Sequence, residues 1–218
     1  MSTHNVEQII FDVASALLVP VLILALLALA ATIFEAGALV AEMLRRRGRS
    51  FATLERATEK ARTAIEQDDR GGAEAALQPV AHSAAMQRAL DSVVATVGRP
   101  DQADRAAKLL ADFDYGSLKR LERSRMLVRA GPALGLMGTL IPLSPALEAL
   151  AKGDVKSLSN NLRVAFSVTV LGLLIGALAF GISLVRDRLY GQDLSDLEYV
   201  TAGLIREDVG AGLVEDHV

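Results

Sequence analysis

Hydroxyl side chains are the only polar side chains in the longest apolar stretches of this 218-residue sequence, which cover residues 13–34, 130–147 and 164–185. A hydroxyl donates and accepts hydrogen bonds but does not titrate near neutral pH, so it can orient a proton carrier without being one. A proton relay through these stretches would therefore need a titratable group from another chain. The hydroxyl residues concerned are Ser15, Thr32, Thr139, Ser144, Ser167, Thr169 and Ser183.

Most other reactive groups are excluded by composition. The absence of Cys removes thiol nucleophiles, disulfides and thiolate metal sites. His4, His82 and His217 are too dispersed to form an HExxH metal site, and the sequence has neither a phosphate-binding loop nor a GxSxG elbow. We therefore expect no enzymatic activity and no metal or other cofactor. The net charge of −3 gives no reason to expect a nucleic-acid partner.

The three apolar stretches have the length of membrane-spanning helices. They contain 22, 18 and 22 residues without a charged side chain, and a hydrocarbon core about 30 Å thick needs about 20 residues of helix. The first stretch is expected to be a span rather than a signal peptide, because residues 1–12 contain no Lys or Arg. The sequence thus predicts an all-α protein that spans a lipid bilayer three times.

Basic residues set the predicted orientation. Eleven Lys and Arg residues flank the spans on one side and three flank them on the other. The positive-inside rule then places the N-terminus outside and the C-terminus in the cytoplasm. The predicted divisions are an external segment 1–12, a first span 13–34, a cytoplasmic helical domain 35–129, a second span 130–147, an external loop 148–163, a third span 164–185 and a cytoplasmic tail 186–218.

The segment between the first two spans reads as helical hairpins. We expect helices over 40–69 and 73–97, with breaks at Gly71-Gly72 and between Gly98 and Pro100. Asp101 is a good N-cap for a third helix, which is expected to continue into the second span.

Small residues recur at a spacing of four in the last two spans. Gly131 and Gly135 lie in the second span together with Gly138, and Gly172 and Gly176 lie in the third. This spacing lets helices approach closely in lipid. The pattern is compatible with packing inside one chain, and its presence on both spans favours a larger bundle or oligomer.

Two prolines interrupt the second span. Pro142 and Pro145 each remove a helical hydrogen bond and free a carbonyl group. A free carbonyl at membrane depth is tolerated where it faces protein or water. The pair is therefore predicted to kink the helix, with the freed carbonyls facing protein or water.

The residues of the last two spans resemble a known family. GPALGLMGTLIPL, from Gly131 to Leu143, resembles the second-span signature of the MotA/TolQ/ExbB proton channel family. AFSVTVLGLLIGALAFGI, from Ala165 to Ile182, resembles the matching third-span segment of ExbB and TolQ. The resemblance covers about residues 125–190. It departs from ExbB and TolQ at Val164, where those proteins carry a Glu. It also departs from the family signature at IPLSPAL, which implies that Pro142 and Pro145 shape a pore or partner contact specific to a subfamily.

The resemblance implies a homopentamer in the cytoplasmic (inner) membrane of a prokaryote, built around two copies of a single-span partner of the ExbD, TolR or MotB type. The partner's Asp would carry the ion, and Thr139 and Thr169 would line its pathway. The implied function is that of an ion-conducting subunit, for protons or sodium, in an energy-transducing motor complex driven by the proton-motive force. The compact external parts resemble the transport members, which serve protein transport, more than the flagellar stators. The alternative is a non-conducting membrane scaffold that recruits partners through its cytoplasmic helices.

Overall fold

The computed structural model describes the backbone of residues 3–205, and this part of the chain is helical without any strand. The predicted all-α fold is confirmed there, whereas the predicted tail beyond residue 205 lies outside the described residues. Seven α-helices and one 3-10 helix follow one another: α1 (Thr3–Ala16), α2 (Leu18–Arg45), α3 (Phe51–Glu66), α4 (Arg70–Leu77), the 3-10 helix (Gln78–Val80), α5 (Ala84–Thr96), α6 (Gln102–Ala151) and α7 (Val155–Leu204).

Three helical stretches in the described part are long and apolar enough to cross a membrane. They are Gln8–Arg45, Gln102–Ala151 and Val155–Leu204, and each contains one of the predicted spans. The first stretch contains parts of both α1 and α2. The helix is hardly interrupted between them, because the Leu17 amide still donates to the carbonyl of Val13 at 3.3 Å.

The chain divides into two compact units, and α6 and α7 each contribute residues to both. The first, which we call the span unit, comprises Met1–Ala41 and Arg120–Arg186. The second, the insert unit, comprises Glu42–Lys119 and Asp187–Val218.

The span unit has a narrow core. Val21 and Ala25 of α2 are buried, as are Ile175 and Ala179 of α7, and in each pair the spacing of four keeps both residues on one helix face. Many large apolar side chains point outward instead, with Phe34 exposed to 76%. This distribution is typical of helices that face lipid or further helices rather than water.

The insert unit has the denser core. Leu77, Met86, Leu90 and Val93 from its short helices are fully buried, and Leu197 of α7 packs in the same cluster. Large buried side chains of this kind supply most of the stability of a water-exposed domain.

Two of the predicted helix boundaries in the insert unit are wrong for reasons of capping. The predicted helix 40–69 is interrupted after Arg45, and α3 starts anew behind Ser50, whose hydroxyl accepts from the Thr53 amide at 3.4 Å. Gly71 and Gly72 do not break a helix. They lie in the first turn of α4, where Asp69 caps the helix by accepting from the Gly72 amide at 2.8 Å.

The predicted helix 73–97 is also wrong, because Pro79 lacks an amide hydrogen and the chain forms a 3-10 turn there. A new helix, α5, follows the cap Ser83. The predicted break after α5 is confirmed, and Gly98 adopts a φ of 81° that favours glycine. The start of α6 directly after Asp101 and its uninterrupted course into the second span are confirmed as well.

The turn between α6 and α7 comprises only residues 152–154. Gly153 supplies the left-handed conformation, with a φ of 71°, and Asp154 caps α7 by accepting from the amide of Ser157 at 3.1 Å and from its hydroxyl at 2.6 Å. Both helices therefore extend into the segment 148–163 that was expected to be a loop.

Two bidentate ion pairs in the insert unit tie the segment after α2 to α7. Arg46 binds Asp193 through contacts of 2.5 and 2.9 Å. Arg49 binds Asp196 through contacts of 2.7 and 2.6 Å. Both acids are buried, and paired, hydrogen-bonded arginines of this kind fix geometry more strongly than exposed ion pairs do.

His82 lies beside these pairs and lines a small pocket of about 90 Å³ together with Arg49 and Asp196. Burial lowers the pKa of the His82 imidazole below its ordinary value of 6.5, and the charges of Arg46 and Arg49 lower it further. The nearby carboxylates of Asp193 and Asp196 oppose the shift. The net result is a pKa below 6.5.

We predict that this shift makes the insert unit less stable in mild acid. The unfolded chain binds a proton on its imidazole more tightly than the folded chain does, so the free energy of unfolding falls as the pH drops below 6.5. Urea unfolding of the full chain in detergent, followed between about pH 7.5 and pH 5, measures this fall. His82→Gln should flatten the curve, and parallel curves for the two proteins would contradict the prediction.

Candidate functional site

The last two spans approach each other backbone to backbone. A Cβ atom added to Gly131 would lie 2.7 Å from the carbonyl oxygen of Gly172, and one added to Gly172 would lie 2.5 Å from the carbonyl oxygen of Gly131. A Cβ on Gly176 would lie 2.9 Å from the ring of Pro132. Only glycine fits this close contact between α6 and α7.

The other two predicted glycines lie in the same seam. A Cβ on Gly135 would lie 3.3 Å from the carbonyl oxygen of Thr169, and one on Gly138 would collide with the side chain of Val168. The structure therefore brings all five glycines together between helices of one chain. Their further part in an oligomer stays a prediction.

The two predicted threonines meet within this seam, at the carbonyl of Gly135. The Thr169 hydroxyl is 3.2 Å from that oxygen and 3.2 Å from the carbonyl oxygen of Ala165. The Thr139 hydroxyl is 3.3 Å from the same Gly135 oxygen and 2.8 Å from that of Leu136. Both threonines are half-buried.

The two prolines lie one turn further along α6. Pro142 is buried and Pro145 is half-buried, and the helix continues past both to Ala151. Because neither has an amide hydrogen, the carbonyls four residues earlier, those of Gly138 and Ile141, receive no helical hydrogen bond. The Gly138 carbonyl belongs to the residue directly before Thr139.

This arrangement can accept hydrogen bonds but cannot titrate. Each threonine hydroxyl has a single hydrogen, which is directed to a carbonyl of its own chain, and each oxygen keeps lone pairs that can accept. A protonated carboxylic acid could donate to these lone pairs, whereas an ionised carboxylate has no hydrogen to donate.

A buried ion pair in the span unit was missed in the reading of the sequence, which placed Glu35 and Arg186 as flanking charges outside the spans. The Arg186 guanidinium contacts the Glu35 carboxylate and lies 3.1 Å from the hydroxyl of Ser124. Ser124 is fully buried and Arg186 is 5% exposed. The cluster joins α2, α6 and α7. The only signal available was that each charge directly borders an apolar stretch.

Comparison with known families agrees with the span geometry. The sequence model of the MotA/TolQ/ExbB proton channel family matches residues 69–192, which is more than half of the chain. The chain belongs to this family. Comparison with individual curated proteins gives no match.

Membership in the MotA/TolQ/ExbB proton channel family accounts for the three membrane-crossing stretches, and the chain is a multi-pass membrane protein. The family match includes the glycine seam, both threonines and the Pro pair. It also includes Val164, which is 37% exposed; this residue offers no titratable group at the place where ExbB and TolQ carry a Glu.

We predict that Gly172→Ala destabilises the span unit. The new methyl group would lie 2.5 Å from the Gly131 oxygen and 2.7 Å from the Gly135 Cα, and both are backbone atoms that move only if the helices separate. The expected cost is about 1–3 kcal/mol, visible as a lower thermal midpoint in detergent. Gly181→Ala is the matched control, because nothing lies within 4 Å of a Cβ there. Equal midpoints for the two variants would contradict the close contact.

We also predict a large effect from Glu35→Leu, which removes the carboxylate facing the buried Arg186. Breaking one side of a buried pair costs about 3–5 kcal/mol, again measured as a thermal midpoint. Glu148→Leu, which breaks the exposed pair with Lys152, should change it little. The double variant Glu35→Leu with Arg186→Met should recover most of the loss. A single variant as stable as the wild type would show that the pair is not structural.

Proposed function

We propose that this chain is the ion-conducting subunit of an energy-transducing complex in a prokaryotic cytoplasmic (inner) membrane, driven by the proton-motive force. Five copies surround two copies of a single-span partner of the ExbD, TolR or MotB type, whose Asp carries the ion. The N-terminus lies outside and the insert unit lies in the cytoplasm. The ion is a proton, with sodium as the alternative.

The observation that carries this proposal is the convergence of Thr139 and Thr169 on the Gly135 carbonyl, in spans whose charge-free stretches cannot relay a proton alone. A protonated Asp of the partner donates its O–H to a threonine oxygen and is held there. After it has lost the proton to the cytoplasmic side, the carboxylate is repelled by the same lone pairs. Affinity for the partner thus alternates with its protonation state.

The driving force follows from the membrane potential. One elementary charge crossing about 100 mV releases roughly 2.3 kcal/mol. Alternating affinity converts this energy into movement of the pentamer relative to the partner, and the insert units transmit or receive the load. Protein transport is the process we assign, because the compact external parts resemble the transport members of the family more than the flagellar stators.

The same geometry also favours a second candidate in one respect. The Thr169 hydroxyl is within hydrogen-bonding distance of a carbonyl of its own chain, and the glycines pack within that chain. Both features would serve a non-conducting scaffold that recruits partners through the insert unit. The two candidates differ in whether the threonine oxygens face a shared axis between copies.

The decisive experiment is proton flux with isosteric variants. The complex, purified with its co-purifying partner, is reconstituted into liposomes with an internal pH dye, and a potassium diffusion potential is applied. Thr139→Val and Thr169→Val should each lower the flux at least about tenfold, the equivalent of roughly 1.4 kcal/mol, because a methyl group cannot accept a hydrogen bond. Native mass spectrometry of the same samples should show unchanged stoichiometry.

Two controls separate this result from misfolding. Ser167→Ala removes an exposed hydroxyl, bonded to the Arg163 carbonyl at 2.8 Å, two residues from Thr169, and should leave the flux unchanged. Thr169→Ser, which keeps the hydroxyl, should restore the proton flux that Thr169→Val loses. Wild-type flux in both valine variants would overturn the pathway, and a complex that assembles but never conducts would favour the scaffold.

A further inference from the structure

The span unit carries an apolar groove between α2 and α6. It has a volume of about 480 Å³ and is lined only by Leu and Ala of α2, between Leu24 and Ala31, and by Ala, Leu and Met of α6, between Ala130 and Met137. Seven residues of helix rise about 10 Å, so the groove is long enough for half of an acyl chain. The absence of any polar side chain in its walls restricts the occupant to an apolar group.

Two exposed arginines of α6, Arg129 and Arg123, lie beyond the Ala130 end of the groove, about 120° apart around the helix. Arg129 precedes the lining residue Ala133 by four positions, and Arg123 precedes Ala130 by seven, spacings that place each pair on one helix face. Within residues 3–205 neither arginine is engaged in an ion pair. Between them lies Met126, which is 71% exposed.

The acidic groups near this end do not neutralise the arginines. Glu35, one turn beyond Ala31 on α2, is held by Arg186. Glu122 is exposed and lies on the far side of Arg123 from the groove. The Ala130 end of this apolar groove is therefore followed by two unneutralised cations, one on each side of Met126.

We propose that this groove binds an anionic glycerophospholipid, with one acyl chain between α2 and α6 and the headgroup phosphate at Arg129 and Arg123. The occupant must have an apolar chain joined to an anion, and this combination is what anionic lipids offer at a membrane surface. The site lies in the inner leaflet if the orientation proposed above holds. Its chemistry does not depend on ion conduction.

The chain contains no Trp, which allows a direct test with a single introduced reporter. Met137→Trp places an indole in the groove wall. Phe180→Trp, at a 53% exposed position on α7, is the matched control for general lipid contact. Both variants of the full chain, with any co-purifying partner, are reconstituted into liposomes containing phosphatidylglycerol or phosphatidylcholine with brominated acyl chains, which quench tryptophan fluorescence.

We expect the Met137→Trp reporter to be quenched at a lower mole fraction of brominated phosphatidylglycerol than of brominated phosphatidylcholine, and the Phe180→Trp reporter to show no preference. Adding Arg129→Gln should reduce the preference about fivefold, the effect of one basic residue at an anionic surface. Arg163→Gln removes an exposed arginine of α7, a helix that contributes no residue to the groove wall, and should leave the preference unchanged.

Three outcomes would overturn the proposal. Equal quenching by both lipids would mean that the groove contacts bulk lipid only. Weak quenching by both, relative to the Phe180→Trp control, would mean that a second copy of the chain or a partner helix covers the groove. A preference that survives replacement of both Arg123 and Arg129 by Gln would place the headgroup elsewhere.

Discussion

The contact on which the span unit depends is the approach of two helix backbones, α6 and α7, to a distance at which no side chain fits between them. A Cβ atom on either Gly131 or Gly172 would collide there with the carbonyl oxygen of the other. Because the helices are so close, the Thr169 hydroxyl on one helix reaches the Gly135 carbonyl on the other. A wider separation of the two helices would leave each threonine bonded only to its own helix. The two hydroxyls would then no longer meet at the Gly135 carbonyl oxygen.

The two units are stabilised by different means. The insert unit buries large side chains such as Leu90 and Met86. Removing their apolar surface from water stabilises the folded unit directly. The span unit gains little from hiding apolar surface in lipid, so close packing and polar contacts must supply its cohesion. The Glu35–Arg186 pair, with Ser124 as a third partner, supplies such a contact across three helices.

Periodicity and length sufficed to predict the spans, the glycine seam and the start of α6, since each depends on residues close together in sequence. The short helices were harder. Gly71 and Gly72 looked like a break, but one capping carboxylate, Asp69, makes the first turn of α4 favourable. The ion pairs of α7 were out of reach, because Arg46 and Asp193 are 147 residues apart and no local pattern links them.

That separation has a consequence for biogenesis. At translation rates of about 5–20 residues per second, Arg46 and Arg49 emerge roughly 7–30 s before Asp193 and Asp196. Throughout this interval they are uncompensated positive charges directly behind a newly inserted span, and such charges retain a segment on the cytoplasmic side. Once α7 is made, Asp193 and Asp196 neutralise the same guanidinium groups, and the resulting ion pairs stabilise the insert unit. In the orientation proposed above, each arginine would serve twice, first as a topological signal to the insertion machinery and later as part of the folded domain.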